Sequence, residues 1–163
     1  MNDKAKPSTE TSKQSEPSIR VAGQYIKDLS FENPNVGKML EAPVENPQLQ
    51  VDVNVNARQA ATGMYESVIH FTANATSNGG PLYKLELEYG GMFKIEHMPP
   101  QAMEPFLLIN APSLLFPFVR RLLADITREG GFPPLLLDPI DFASLYMKRK
   151  QGAQPANGNG AVA

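Results

Sequence analysis

The chain has 163 residues and carries 15 Lys and Arg against 17 Asp and Glu, a formal net charge of −2. It contains no cysteine, which excludes disulfides, thiolate metal sites and thiol catalysis. Without the balanced residues 1–18 and the cations Lys148, Arg149 and Lys150, nine basic and fourteen acidic side chains remain, and so acidic a middle excludes DNA or RNA as the main partner.

Residues 1–18 are Ser, Thr, Lys, Glu, Pro and Gln with almost no large apolar group, which predicts a disordered tail and no secretory signal. A first strand is predicted over 24–32, with Tyr25, Leu29 and Phe31 facing one way and Asp28 and Glu32 the other. Leu49, Val51, Val53 and Val55 alternate with Gln48, Gln50, Asp52, Asn54 and Asn56, the mark of a half-buried second strand. In a third, Tyr65, Ser67, Ile69, Phe71 and Ala73 oppose Glu66, Val68, His70 and Thr72. Ser77-Asn-Gly-Gly80 supplies a hairpin turn. The fourth strand sets Tyr83, Leu85, Leu87 and Tyr89 against Lys84, Glu86 and Glu88, and Gly90-Gly91 is expected to bend or bulge it before Met92.

From Pro100 the period changes to that of a helix. Leu114, Leu115, Phe118, Val119, Leu122, Leu123 and Ile126 recur at helical spacing up to a stop at Gly130. Pro112 and Pro117 predict a short helix, a break and then the long one. The apolar run 105–119, interrupted by those prolines, is shorter than the roughly 20 residues that span a bilayer, so a soluble protein without membrane insertion is expected. A second helix is predicted from Asp138 as N-cap with Pro139 at its first position, ending in Lys148-Arg-Lys150. Residues 151–163 read as a flexible tail, leaving one structured domain at 19–150. Four strands followed by helices define an α+β fold with a four-stranded antiparallel sheet. Two sheet edges and a helix apolar around more than half its girth exceed what one copy can cover, which points to self-association.

No phosphate-cradling glycine loop is present, so the Gly-Gly pairs serve the backbone. His70 and His97 are the residues able to act as near-neutral bases. Glu66 and His70 could share a metal on a helix, but on a strand they lie about 13 Å apart. No catalytic residue and no metal site is assigned. Asp28, Glu32, Glu86 and Glu88 form either a solvated face or a docking surface for a basic partner. Met39, Leu40, Met98, Met103, Phe106, Phe116 and Phe132 are core residues or a permissive apolar surface.

Asn110-Ala-Pro-Ser-Leu-Leu-Phe-Pro-Phe-Val-Arg120 together with Gly131-Phe-Pro-Pro-Leu-Leu-Leu-Asp-Pro-Ile-Asp-Phe142 closely resembles the signature of the SecB protein-export chaperones. The match extends through Tyr25-Ile-Lys-Asp-Leu-Ser-Phe-Glu-Asn-Pro-Asn35 and Tyr89-Gly-Gly-Met-Phe93. The resemblance implies a cytosolic, ATP-independent holdase without cofactor that keeps precursors unfolded and delivers them to the SecA motor. It also implies a homotetramer, a dimer of dimers with the long helices between two sheets, and places Leu115, Phe118, Leu122 and Ile126 between subunits. SecA docking is carried over to Asp28, Glu32 and Glu86, beside Lys84, which stands where the family commonly shows an apolar residue. The client groove is carried over to 36–40 with 92–106, which includes Met39, Leu40, Met98, Met103 and Phe106. Two rival readings are a SecB-like chaperone of a toxin–antitoxin system and a small metal-dependent enzyme using His70.

Overall fold

A computed structural model describes residues 15–153; of the tails predicted for 1–18 and 151–163, residues 1–14 and 154–163 lie outside the described residues. Period-two alternation resolves into β1 (Ser18–Glu32), β2 (Gln48–Ala61), β3 (Met64–Ser77) and β4 (Gly80–Glu96). They form one antiparallel sheet in the order β1-β4-β3-β2, so β1 and β2 are its free edges. Two-residue turns join β2 to β3 and β3 to β4, with Gly63 and Gly80 at positive φ of 71° and 111°. β1 reaches the opposite edge through a crossover containing the short helix α1 (Val36–Glu41).

β1 starts at Ser18, six residues before the predicted strand, so Ser18 belongs to the sheet rather than to a tail. A register shift between Ile26 and Asp28 makes Lys27 the extra residue of a bulge. The bulge corrects the predicted facing of Tyr25. Tyr25 lies over Gly90 on the face carrying Asp28, while Leu29 and Phe31 pair with Leu87 and Leu85 on the other. Ile69, Phe71, Ala73, Leu85, Leu87 and Phe93 bury the inner face of the sheet.

Gly90-Gly91 does not interrupt β4, which runs unbroken from Gly80 to Glu96. Close approach on both faces is the reason for two glycines. A Cβ on Gly90 would lie 2.8 Å from the Tyr25 ring, and one on Gly91 would lie 2.8 Å from a Leu115 methyl. The first glycine seats Tyr25 on the outer face, and the second lets the long helix lie flat on the inner one.

The predicted helix break is also absent. Helix α2 (Pro100–Pro105) passes through a π-helical turn (Phe106–Asn110) directly into α3 (Ala111–Glu129). The wider turn absorbs the missing N–H of Pro112, because Ala111 N–H reaches back to Phe106 O and Pro112 falls where a donor to Leu107 O would be. Leu107 O takes its hydrogen bond from Ser67 Oγ instead, at 2.8 Å from a fully buried position on β3. The span Pro100–Glu129 is therefore 30 residues of continuous helix, long and apolar enough to cross a bilayer by composition, contrary to the exclusion drawn from its prolines. Leu115, Val119 and Leu123 lie against the sheet with at most 1% of their surface exposed, as in the core helix of a folded domain.

Helix α3 ends where the glycine pair predicts. Gly131 N–H bonds to Arg128 O and Phe132 N–H to Thr127 O, with Gly131 at φ +86° closing the αL turn. The connector is tied down by Leu135 N–H to Thr127 Oγ1 at 2.9 Å and by Arg120 Nε to Leu137 O at 2.7 Å. Helix α4 is Phe142–Ala153 and starts three residues later than predicted. Asp141, not Asp138, caps it, accepting from Ser144 N–H at 3.0 Å and Ser144 Oγ at 2.7 Å. It includes residues 151–153, assigned from sequence to the tail.

Candidate interaction surfaces

The outer face of the sheet carries charge in two zones. In one, β-register aligns Asp28 with Glu88, Ser30 with Glu86 and Glu32 with Lys84. Asp28, Glu32 and Glu86 thus share one face, as the sequence indicates, and Glu88 and the edge residue Asp52 join them. Lys84 Nζ lies 3.1 Å from Glu86 Oε1. Its pKa is raised, first by the hydrogen bond to Glu86 and then by the Glu86 charge, with Glu32 adding to it. His70 Nδ1 lies 3.1 Å from Glu88 Oε1 and its Nε2 3.1 Å from the Asn56 amide nitrogen. Both ring nitrogens are engaged within the sheet surface. Among the described residues no three His, Cys, Asp or Glu side chains are grouped to hold a metal ion.

The second zone centres on Glu66, which the strand pattern assigns to the solvated face. It is instead 2% exposed. Arg58 from β2 donates to it at 2.6 Å, Lys27 from β1 at 3.2 Å, and the Tyr25 hydroxyl donates to its other oxygen. Burial works to raise the Glu66 pKa, but the hydrogen bonds from Tyr25, Lys27 and Arg58 hold it below the ordinary carboxylate value. Burial and the same carboxylate push the Tyr25 hydroxyl up to about 12. One anion clamps both edge strands across the two central ones. The bulge at Lys27 and the roof formed by Tyr25 leave no trace in a period-two pattern.

The inner face is apolar and incompletely covered. The residues assigned to a client groove do not come together. Met39 and Leu40 lie on α1 beside the β3–β4 hairpin, where Met39 lines a cavity of about 290 Å³ with Gly80 and Leu82. Met98, Met103 and Phe106 follow the far end of β4, with Phe106 edge-on to Phe93 at 5.7 Å. The 17-residue β4 separates the two sets by about 50 Å at roughly 3.3 Å per residue. Met103 lines a different cavity of about 530 Å³ with Tyr65, Leu107, Leu108 and Tyr146.

At the Met39 end, sequence reasoning missed several apolar groups. Leu49 and Val51 on edge β2 are only partly covered, Leu40 is 85% exposed and Leu136 on the connector 64%. Behind them Phe31, Tyr83 and Phe132 form an aromatic cluster with ring centres 4.7–6.4 Å apart, Phe132 standing edge-on to the other two. The alternation of β2 marks its residues as half-buried without showing that Val55 is covered while Leu49 and Val51 stay partly bare.

The residues assigned to a subunit interface divide. Leu115 is fully buried against Gly91, so it belongs to the core of the single chain rather than to a surface open to a second copy. Phe118 stacks on Tyr89 at 6.4 Å and remains 45% exposed, with Leu122 and Ile126 half-buried along the same helix. Beside it, the inner face of edge β1 exposes Ile19, Val21, Ile26 and Leu29. Phe118, Tyr89, Ile26 and Leu122 line a shallow cavity of about 380 Å³. These β1 residues were not anticipated, since a strand pattern does not say which stretch the helices leave bare.

A sheet with an acidic zone on its outer face and bare apolar ends on its inner one presents two surfaces suited to binding other proteins. Comparison with known proteins gives it a family. The profile described as "Preprotein translocase subunit SecB" matches residues 12–153. The protein-export protein SecB of Azorhizobium caulinodans is 47% identical over 133 residues, covering 82% of this chain and 83% of that protein. That of Hyphomonas neptunium is 45% identical over 148 residues, covering 90% and 88%. The chain belongs to the SecB family of protein-export chaperones, a non-enzymatic family. A Mycobacterium tuberculosis SecB-like chaperone, solved with a ChAD peptide from an antitoxin, shares the fold at TM-score 0.60 and 10% identity, covering 75% of this chain and 90% of that one.

Proposed function

We propose that this chain acts in the cytoplasm as a tetrameric holdase that keeps precursor proteins extended and passes them to SecA through the acidic outer face of its sheet. The observation that carries the reading is the division of one sheet into two working faces. The outer face collects Asp28, Glu32, Glu86 and Glu88, while the inner face leaves large apolar side chains bare at both ends. Exposed carboxylates on a rigid sheet steer a basic partner electrostatically.

Clients are held at two places rather than in the single groove first assigned. One is the strip of Met39, Leu40, Leu49, Val51 and Leu136, and the other is the Met103 cavity, lined also by Tyr65, Leu107 and Leu108. An extended segment of about fifteen residues reaches from one to the other. Edge β2 offers unpaired backbone groups beside the first strip, which allows pairing with little sequence preference. Binding the unfolded state slows folding by mass action and needs no chemistry.

A dimer of dimers covers Ile19, Val21, Ile26, Leu29, Phe118, Leu122 and Ile126, the second bare region of the inner face. The test of the whole reading is retardation of refolding. At equimolar tetramer, the purified protein slows refolding of a denatured precursor, and Leu40→Asp with Leu136→Asp reduces the effect. Refolding at the spontaneous rate in the presence of the unaltered protein would end the proposal.

A further inference from the structure

The acidic zone of the outer face contains one lysine, and its position is specific. Lys84 faces Glu32 directly in the β1–β4 register, and its Nζ lies 3.1 Å from Glu86 Oε1. Two of the three carboxylates assigned to SecA docking therefore share one cation within the same chain. Most other cations on this face are committed elsewhere, and Arg20 lies beside Lys94 at the far end of β4. Lys27 and Arg58 bond to Glu66, and Lys94 pairs with Glu96 at 3.2 Å. Asp28 differs, because its register row runs through Glu88 and His70 to Asn54 and contains no Lys or Arg.

We infer that Lys84 is a built-in counter-ion that weakens the acidic face toward a cationic partner at Glu32 and Glu86 and leaves Asp28 its strongest point. This rests on the docking reading above and adds the residue that sets its strength. A cation arriving at Glu86 or Glu32 has to displace the Lys84 ammonium or share a carboxylate with it, and meets like charge in doing so. At Asp28 it meets no such competitor. Because the Lys84–Glu86 pair is half-exposed, the effect is modest and salt-dependent.

The experiment compares SecA affinity of the full-length protein and four variants at about 50 mM and about 300 mM salt. Lys84→Met is expected to tighten binding about threefold to fivefold at low salt, the range of one exposed ion pair, with the gain shrinking at high salt. Lys94→Met is the control. It removes a like pair from the same face ten residues along the strand, about 33 Å away and beyond the screening length, so affinity should not change. Glu86→Gln should weaken binding. If Glu86→Gln weakens binding while Lys84→Met leaves it unchanged or weaker, the counter-ion inference is overturned and the docking reading stands. If Glu86→Gln and Asp28→Asn both bind as the unaltered protein does, the docking reading itself fails.

Discussion

Ser67→Ala tests how the long helix is held on the sheet. Ser67 is fully buried on β3, beside Gly91 in the strand register, and donates to Leu107 O in the π-turn at 2.8 Å. No backbone donor can replace it there. Ala111 N–H is spent on Phe106 O, and the next residue is Pro112. The substitution removes one oxygen and leaves a buried carbonyl unsatisfied, so its cost is desolvation rather than a cavity. That cost is about 1–3 kcal/mol. For a domain of this size it corresponds to roughly 2–4 °C in Tm for each kcal/mol. Urea unfolding at one fixed protein concentration is the proper assay, since association shifts apparent stability. Ser113→Ala serves as comparison. Its Oγ donates to Ile109 O at 2.6 Å from an exposed position, where water can take over, so a loss within about 0.5 kcal/mol is expected. Equal losses for the two variants, or none for Ser67→Ala, would refute the claim that Leu107 O depends on Ser67.

Three other outcomes follow from the geometry. Glu66 has a folded pKa below its unfolded value, so its contribution is present above about pH 4.5, the ordinary carboxylate value, and is lost as pH falls through the folded value; Glu66→Gln should flatten this acid limb of stability, measured by urea unfolding from pH 3 to 7. Tyr25 is raised to about 12, so its contribution is complete below pH 10 and lost as pH rises through 12; Tyr25→Phe should remove that alkaline loss in urea unfolding followed from about pH 8 to 12. Phe118→Asp puts a charge on a half-exposed ring stacked over Tyr89, and light scattering should show the mass falling below four chains of 17.8 kDa each while the far-UV spectrum is kept.

Alternation alone gives the four strands, the two hairpins and the inner-face residues from Ile69 to Leu87, because a strand with one buried face must repeat every two residues. What escapes it is anything set by one residue too many or by a neighbour in space. The bulge at Lys27 turns Tyr25 onto the outer face, and Tyr25 then covers Glu66. Neither event changes the local pattern around Glu66, which still alternates like a solvated strand. The prolines mislead for a related reason. Pro112 does remove a donor, as a break would require, but the vacancy at Leu107 O is filled from β3 by Ser67, forty residues before Leu107 in the chain.

The working surfaces follow the same division. The acidic residues are legible because charge on the polar face of a strand stays on that face, whatever packs behind it. Apolar residues carry no such guarantee. Leu115 and Phe118 occupy the same helix three residues apart, yet one lies fully buried over Gly91 and the other is half-exposed over Tyr89. A glycine on β4 lets the helix sink at Leu115, whereas the ring opposite Phe118 holds that side chain out. Which apolar group serves the core and which is left for a partner is therefore decided by the size of the residue across from it on the sheet. That residue can be identified only once the register between helix and strand is known.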